Sequence, residues 1–299
     1  MIIFFVYMWF LLCYIPQFTE KVEIVASKEY SFDAKEIFHE NLKTYETDLF
    51  KSDKIVDRVS LEELKSDIIN MVGENIDFFS LIYYEFDSKD IIEINSDYSF
   101  MPASTYKVPL NMLLCDMAFK KEVDMDSSMS YYSEDYESGA GILQGSHMLY
   151  EPIALTTLSE YSIVYSDNIA ANMLIRMLGY YNLIDYMEQV SGIILDDMYL
   201  IKPKMMLALL ERLYYNVENN PYYDTLIEYM KNTSFHDRID AFIPYDIVAH
   251  KIGDYDVYVN DVGIVYTEKP YIVIFYTEGF SYEDIAKISK MLYDYNIQD

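Results

Sequence analysis

The sequence predicts an α+β fold in which strands from both ends of the chain form one antiparallel sheet flanked by helices, with an all-α lobe between them. Three observations lead to this prediction. Strand-like patterns occur at residues 78–98 and again at 244–279, whereas residues 155–213 have mainly helical periodicity. Strands and helices therefore do not alternate, as they would in a βαβ protein with a parallel sheet.

The first regular elements begin at Ser60. Ser60 and Glu63 have the spacing of a capping box, and apolar residues then recur at intervals of three and four, which predicts a helix. The segments FFSLIYYEF (78–86) and DIIEINSDY (90–98) follow, and both are rich in residues that favour strands. They predict two strands that pair around a turn at residues 87–90.

The C-terminal part of the domain is rich in strand patterns and closes with a helix. Residues 244–279 contain several apolar runs, with turns predicted near Asp254 and at Lys269–Pro270. SYEDIAKISKMLYDYN (281–296) predicts an amphipathic helix with Ser281 as its N-cap. The strands before and after the helical block are expected to share one sheet.

The chain is predicted to carry one folded domain over residues 55–299, preceded by a tether at 18–54. Residues 1–17, MIIFFVYMWFLLCYIPQ, are almost wholly apolar, and we interpret them as a hydrophobic leader or signal anchor. They lack the basic region and cleavage site of a secretory signal, and they are shorter than the about 20 residues of a spanning helix. The alternative is a buried terminal element of a cytosolic protein. We expect a cell-surface or extracellular protein, membrane-anchored through residues 1–17 or secreted.

The composition excludes several classes of protein. With 52% hydrophobic residues the chain is globular and not disordered. Its formal net charge is −28, from 22 basic and 50 acidic residues. Such a surface repels phosphate backbones and anionic lipid head groups, so no nucleic-acid partner is expected. The simplest explanation of the acidity is solubility.

No cofactor or metal is expected from the sequence. Cys13 and Cys115 lie far apart in different surroundings, so they predict no disulfide and no zinc motif. The histidines do not pair at a metal-binding spacing; they are His39, His147, His236 and His250. SGAGILQG (138–145) resembles a dinucleotide fingerprint but has one residue too many and no βαβ context, so it predicts a loop.

The segment MPASTYKVPL (101–110) runs from a loop into an apolar-periodic stretch. If a helix begins at Ser104, Ser104 and Lys107 lie on one face, so Ser104 is either a helix cap or a nucleophile with Lys107 as its base. A serine hydroxyl needs a neighbouring base. A lysine can be that base only if burial or other positive charge lowers its pKa. Taken alone, the Ser-x-x-Lys pattern favours the simpler interpretation, in which Ser104 is a helix cap and Lys107 is a surface lysine.

Two further polar triplets occur downstream. Ser166-Asp167-Asn168 interrupts the helical block with residues that disfavour helix interiors. It marks either a break whose side chains enter a cleft or an ordinary N-cap. HKIG (250–253) precedes alternating strand residues. Lys251 could supply an ammonium group to a cleft beside an edge strand, and Gly253 would then let the backbone of a ligand approach closely. The alternative is that Lys251 faces solvent.

The three triplets each occur once, in the order Ser-x-x-Lys, Ser-Asp-Asn, Lys-x-Gly. With them the chain resembles the serine hydrolase superfamily of class A β-lactamases and penicillin-binding proteins. YSDNIAANMLIRMLG (165–179) is similar to the helix after the family's second motif, and NDVGIVYTEKPYIVIFYTEG (260–279) to its two C-terminal strands. The resemblance covers residues 60–296 and implies a β-lactamase/transpeptidase-like fold.

The resemblance implies a role for each residue of the first two motifs. Ser104 would be the acylated nucleophile and Lys107 its proton partner. Ser166 would pass a proton to the leaving nitrogen, and Asn168 would bind the amide side chain of the substrate. This is acyl transfer through attack of a hydroxyl on an amide carbonyl.

The third motif would complete the site. By the same resemblance, Lys251 would supply positive charge and help to hold a substrate carboxylate. The backbone N–H groups of Ser104 and of Asp254, the residue after Gly253, would form the oxyanion hole. The family commonly has Thr or Ser where this chain has Ile252. Loss of that hydroxyl should weaken β-lactam binding by about 1.5–3 kcal/mol.

A second departure concerns deacylation. Class A β-lactamases carry a Glu on a loop after the second motif that positions the hydrolytic water. In residues 180–210 no Glu is followed by an Asn four residues later, Glu188 falls in a predicted helix, and a turn at Asp196–Asp197 leads directly into the next helix. The loop is thus predicted to be truncated, and an acyl-enzyme formed with a β-lactam should be long-lived.

The sequence therefore predicts a serine acyl-enzyme hydrolase that acts on a β-lactam or on a cell-wall peptide amide, with poor deacylation of β-lactams. Its partner would be a small-molecule or peptide substrate. The alternative is a binding module on the same fold that senses cell-wall peptide without turnover.

Overall fold

The structure, a computed structural model, describes residues 59–197 and 199–298. The predicted leader and tether lie outside these residues. In the described part the helices are α1 (Leu61–Val72), α2 (Lys107–Phe119), α3 (Leu155–Val164), α4 (Asn168–Leu178), α5 (Tyr180–Ser191), α6 (Pro203–Tyr215), α7 (Pro221–Lys231) and α8 (Tyr282–Asn296). The strands are β1 (Phe79–Glu85), β2 (Ile91–Ile94), β3 (Ser128–Met129), β4 (Ile153–Ala154), β5 (Val248–Tyr255), β6 (Tyr258–Val265) and β7 (Tyr271–Thr277). None of the described helices has the length and apolar character needed to cross a membrane.

The main sheet joins the two ends of the domain. Its five strands lie in the order β2-β1-β7-β6-β5 and are antiparallel throughout. β1 pairs with β7 in a register that places Leu81 opposite Phe275. The predicted α+β class and the sharing of one sheet are therefore confirmed. β5 lies at an edge of the sheet, so the strand that carries the Lys-x-Gly motif has one free side.

Each face of the sheet is covered by its own hydrophobic core. Alternate residues of a strand point to opposite faces, so Leu81 and Ile82 of β1 enter different cores. On one face, α1 and α8 contribute Ile68 and Ile285. On the other face, side chains of the helical lobe, including Leu209 of α6, pack against the strands. The sheet is therefore packed on both faces, and the helical lobe that carries part of the site packs against one of them.

Several predicted local features are confirmed. Ser60 accepts a hydrogen bond from the N–H of Glu63, and the Glu63 carboxylate accepts one from the N–H of Ser60, which completes the capping box of α1. Ser281 and Asp284 form the same arrangement at α8. The turn predicted near Asp254 is present, between the end of β5 at Tyr255 and the start of β6 at Tyr258.

We expect the Ile82→Ala substitution to lower the free energy of unfolding by about 2–5 kcal/mol, because Ile82 is fully buried against the helical lobe and its loss leaves a cavity. Chemical denaturation measures this change. Ile69→Ala in α1 is the control, since Ile69 is 39% exposed. It should change the free energy by about 1 kcal/mol or less, and equal effects for both variants would contradict the core assignment.

Candidate active site

Ser104 lies in a 3-10 turn, Ala103–Tyr106, that precedes α2. The helix itself begins at Lys107, and Tyr106 holds the N-cap position without a side-chain hydrogen bond. The reading of Ser104 as a helix cap is therefore wrong. Ala103, directly before it, has φ +45°, a conformation that a residue with a Cβ rarely adopts. Strain of this kind persists only where surrounding structure holds it, and it concentrates at functional sites.

Two side chains of the sheet hold this strained turn. The Asn260 amide donates to the carbonyl of Met101 at 2.8 Å and accepts from the N–H of Thr277 at 3.0 Å. The hydroxyls of Thr105 and Tyr276 lie 3.0 Å apart and form a buried hydrogen bond. Sequence reasoning missed both anchors. A signal for Asn260 existed, since Asn is depleted in strands yet lies here in a run of strand formers.

Lys107 is fully buried and connects the first motif to the second. Its Nζ donates to the carbonyl of Ser166 and to Oδ1 of Asn168, both at 2.7 Å. Burial lowers the pKa of Lys107 to about 7, although Glu137 and Asp167 act in the opposite direction. A substantial fraction of the Lys107 amine is therefore neutral near pH 7 and able to accept a proton.

Ser166 lies between two lysines. Lys251 Nζ donates to Ser166 Oγ at 2.9 Å, and Lys107 Nζ is 3.4 Å from the same oxygen. The pKa of Lys251 is lowered well below its ordinary value by complete burial and by the nearby charge of Lys107. Ser166 also has φ +52°, a second strained position at the site. Two buried amines thus share one hydroxyl, which provides a short path for a proton.

The nucleophile candidate is close to this network but not yet part of it. In the described part of the chain, Lys107 directs its ammonium group to Ser166 and Asn168 and not to the Ser104 hydroxyl. Catalytic hydrogen bonds are often long or poorly aligned without substrate and tighten in the complex. The absence of a bond between Ser104 and Lys107 in this state therefore does not exclude Ser104 as a nucleophile.

The third motif reaches the Ser104 turn through Gly253. A Cβ at Gly253 would lie 2.6 Å from the Pro102 carbonyl oxygen and 3.2 Å from the backbone nitrogen of Ser104. Only a glycine lets β5 approach the turn so closely. This contact places the backbone of Gly253 beside that of Ser104.

The comparison with known families is consistent with this geometry. Residues 63–296 match the family model described as the beta-lactamase enzyme family. The chain belongs to this family. No curated protein matches the sequence.

Solved structures show the same β-lactamase fold. PBP-A is similar with a TM-score of 0.71 at 22% identity, covering 78% of this chain and 96% of PBP-A. The TLA-3 extended-spectrum β-lactamase has a TM-score of 0.73 at 18% identity, with 80% and 100% covered. A β-lactamase from Sphaerobacter thermophilus has 0.70 at 18% identity, with 81% and 100% covered. The predicted superfamily and fold are confirmed.

In this member of the β-lactamase family, the second motif serves structure and chemistry together. Asp167 is the N-cap of α4, and its Oδ1 accepts from the N–H of Ala170 at 2.9 Å. Its Oδ2 accepts from Ile142 at 2.6 Å and from Leu143 at 2.8 Å, which fastens the loop predicted at 138–145. The interpretation of the triplet as an N-cap is therefore confirmed by Asp167, while its neighbours Ser166 and Asn168 contact Lys107.

The two departures from the β-lactamase pattern remain visible in the structure. The connection between α5 and α6, residues 192–202, contains Asp196 and Asp197 as its acids and no Glu. Glu188 lies within α5, and its carboxylate accepts from the N–H of Leu195 at 2.9 Å, so it stabilises the connection. In the third motif, Ile252 is only 4% exposed and offers no hydroxyl.

We expect Asp167→Asn to lower the free energy of unfolding by about 2 kcal/mol or more, because an amide nitrogen cannot accept the hydrogen bonds from Ile142 and Leu143 and leaves buried groups unpaired. Thermal or chemical denaturation tests this. Asp126→Asn removes the same charge from an exposed position and should have little effect. Equal stability of the two variants would contradict the role given to Asp167.

Proposed function

We propose that this protein is a serine acyl-enzyme hydrolase of the β-lactamase/penicillin-binding type, acting on the amide bond of a β-lactam or a cell-wall peptide. The observation that carries the proposal is the environment of Lys107. Burial lowers its pKa to about 7 while its hydrogen bonds tie it to Ser166 and Asn168. A surface lysine would stay protonated and could not serve as a base.

In the proposed reaction, neutral Lys107 takes the proton from Ser104 as Oγ forms a bond to the amide carbon. The negative charge that develops on the carbonyl oxygen is stabilised by the N–H groups of Ser104 and Asp254. The C–N bond then breaks as Ser166 gives its proton to the leaving nitrogen and regains one from Lys107. Lys251 keeps Ser166 oriented and adds positive charge for a substrate carboxylate.

Water must then hydrolyse the acyl ester, and we propose that this step is slow. The one Glu near the expected loop, Glu188, has its carboxylate hydrogen-bonded to the N–H of Leu195, so it is not placed to position a hydrolytic water. A mutant of PBP-A has been solved as an acyl-enzyme complex with penicillin G, so a protein of this fold can hold such an adduct. The same behaviour is proposed for this chain.

A binding or sensing module without turnover is the second candidate. The buried, apolar Ile252 in the third motif favours it, because a β-lactamase commonly has a Thr or Ser hydroxyl there to bind a substrate carboxylate. The two candidates differ in what the loss of Ser104 does. An enzyme loses its cellular effect with Ser104→Ala, whereas a binding module keeps both the effect and its affinity for cell-wall peptide.

We further propose that the protein works at the cell surface or outside the cell, where cell-wall peptide is accessible. The basis of this proposal is the apolar run at residues 1–17. Cell fractionation with an antibody to the domain tests it, and recovery of all of the protein in the cytosol would refute it.

We expect wild-type protein incubated with penicillin G to gain the mass of one intact penicillin in intact-mass spectrometry, and to keep it for hours because deacylation is slow. Ser104→Ala should show no adduct. Ser128→Ala, an exposed serine outside the site, is the matched control and should be labelled like wild type. If neither several β-lactams nor a general serine-hydrolase probe labels the wild type, the proposed function is wrong.

We expect the rate of acylation to rise with pH up to about pH 7 and then level off, because only neutral Lys107 accepts a proton and its pKa is about 7. Below that pH the rate should fall about tenfold per unit. Stopped-flow measurement with a chromogenic β-lactam between pH 5 and 8 records the profile, with thermal melting at each pH as a control. Lys107→Arg, which stays protonated, should lose acylation at every pH. A flat wild-type profile would exclude Lys107 as the base.

A further inference from the structure

Two histidines and an aspartate come together where the segment before β5 packs against β5 itself. They are His236, Asp240 and His250, and one ligand atom from each lies within 4.8 Å of the others. His236 Nδ1 contacts Asp240 Oδ2, and His250 Nε2 lies 3.3 Å from the same oxygen. We propose that these three side chains form a binding site for a zinc ion, independent of the proposed acyl transfer.

The cluster contains buried polar atoms that form no hydrogen bond in the described chain. His250 is fully buried, and its Nε2 forms no hydrogen bond, although Asp240 Oδ2 lies 3.3 Å away as a charged neighbour. Asp240 Oδ1 is likewise buried without a partner. Buried polar atoms of this kind are rare and destabilising, and each calls for an explanation such as an ion. A zinc ion bound by Asp240 and by Nε2 of His250 would satisfy both.

The second nitrogen of His250 is already held in the way that metal-binding histidines require. Its Nδ1 lies 3.0 and 2.9 Å from the two carboxylate oxygens of Asp261 on the neighbouring strand β6. This contact holds the proton on Nδ1, as in metal-binding histidines. Burial lowers the pKa of His250, but the carboxylates of Asp261 and Asp240 outweigh it and raise that pKa to about 10, so a zinc ion must displace the proton from Nε2. Gly263, opposite His250, leaves room for the side chain, because a Cβ there would lie 2.6 Å from that of His250.

The chemistry of the donors favours a transition metal such as zinc over magnesium and calcium. Two imidazole nitrogens and one carboxylate oxygen suit zinc, whereas magnesium and calcium prefer oxygen donors throughout. The His236 side chain is 47% exposed, so the site has an entry from solvent. Because neighbouring residues on a strand point to opposite faces, His250 and Lys251 serve different sites from one strand.

The test uses the full-length chain, freed of metal with a chelator and titrated with zinc chloride at pH 8 in an isothermal calorimeter. We expect wild type to bind zinc at this site and its melting temperature to rise when zinc is present. His236→Ala should weaken binding about tenfold or more while the apo-protein still folds, since this histidine is the exposed member of the three. Asp240→Asn should also weaken it.

His147→Ala is the matched control, because His147 is an exposed histidine outside the cluster, and it should bind zinc like wild type. Replacing zinc by cobalt gives a visible absorption spectrum that should disappear in His236→Ala. The proposal is overturned if wild type binds no zinc, or if His236→Ala binds it as tightly as wild type. The cluster would then be an ion-paired network of protonated His250 between Asp240 and Asp261.

Discussion

The burial of Lys107 is the constraint on which the rest of the site depends. An amine without access to water must lose its charge or find acceptors, and this one does both. Its acceptors are the Ser166 carbonyl and Asn168, so the second motif must form a turn that points both groups inward. Ser166 in turn binds Lys251, which requires β5 to lie alongside. Three segments far apart in sequence therefore converge on one buried nitrogen.

This convergence requires strained backbone at two residues and hydrogen bonds that hold the strained turns. Ala103 and Ser166 both have positive φ, and each conformation costs of order 1–3 kcal/mol. Asn260 and Tyr276 of the sheet bind the turn that contains Ser104, and the carboxylate of Asp167 binds the loop next to Ser166. These hydrogen bonds from the sheet and the loop hold both strained turns in place.

The residues proposed for attack on an amide are present more completely than those proposed for release of the product. Lys107, Ser166 and Lys251 form one hydrogen-bond network directly after the turn that carries Ser104, whereas the connection of residues 192–202 has no Glu and Ile252 has no hydroxyl. The two proposed steps depend on different parts of the fold, since the first uses α2 and β5 and the second a connection between helices.

The sequence by itself predicted the central elements and the order of the motifs, because apolar periodicity, capping boxes and strand composition are local properties, but it did not predict α7, Pro221–Lys231. It also identified Ser104 as a candidate nucleophile, although the start of α2 at Lys107 was not foreseen, since contacts with the sheet shape that turn. Only the tertiary structure decided the lowered pKa of Lys107, which follows from burial by distant segments. The meeting of His236 with His250 is of the same kind, since it depends on how a loop folds back onto β5.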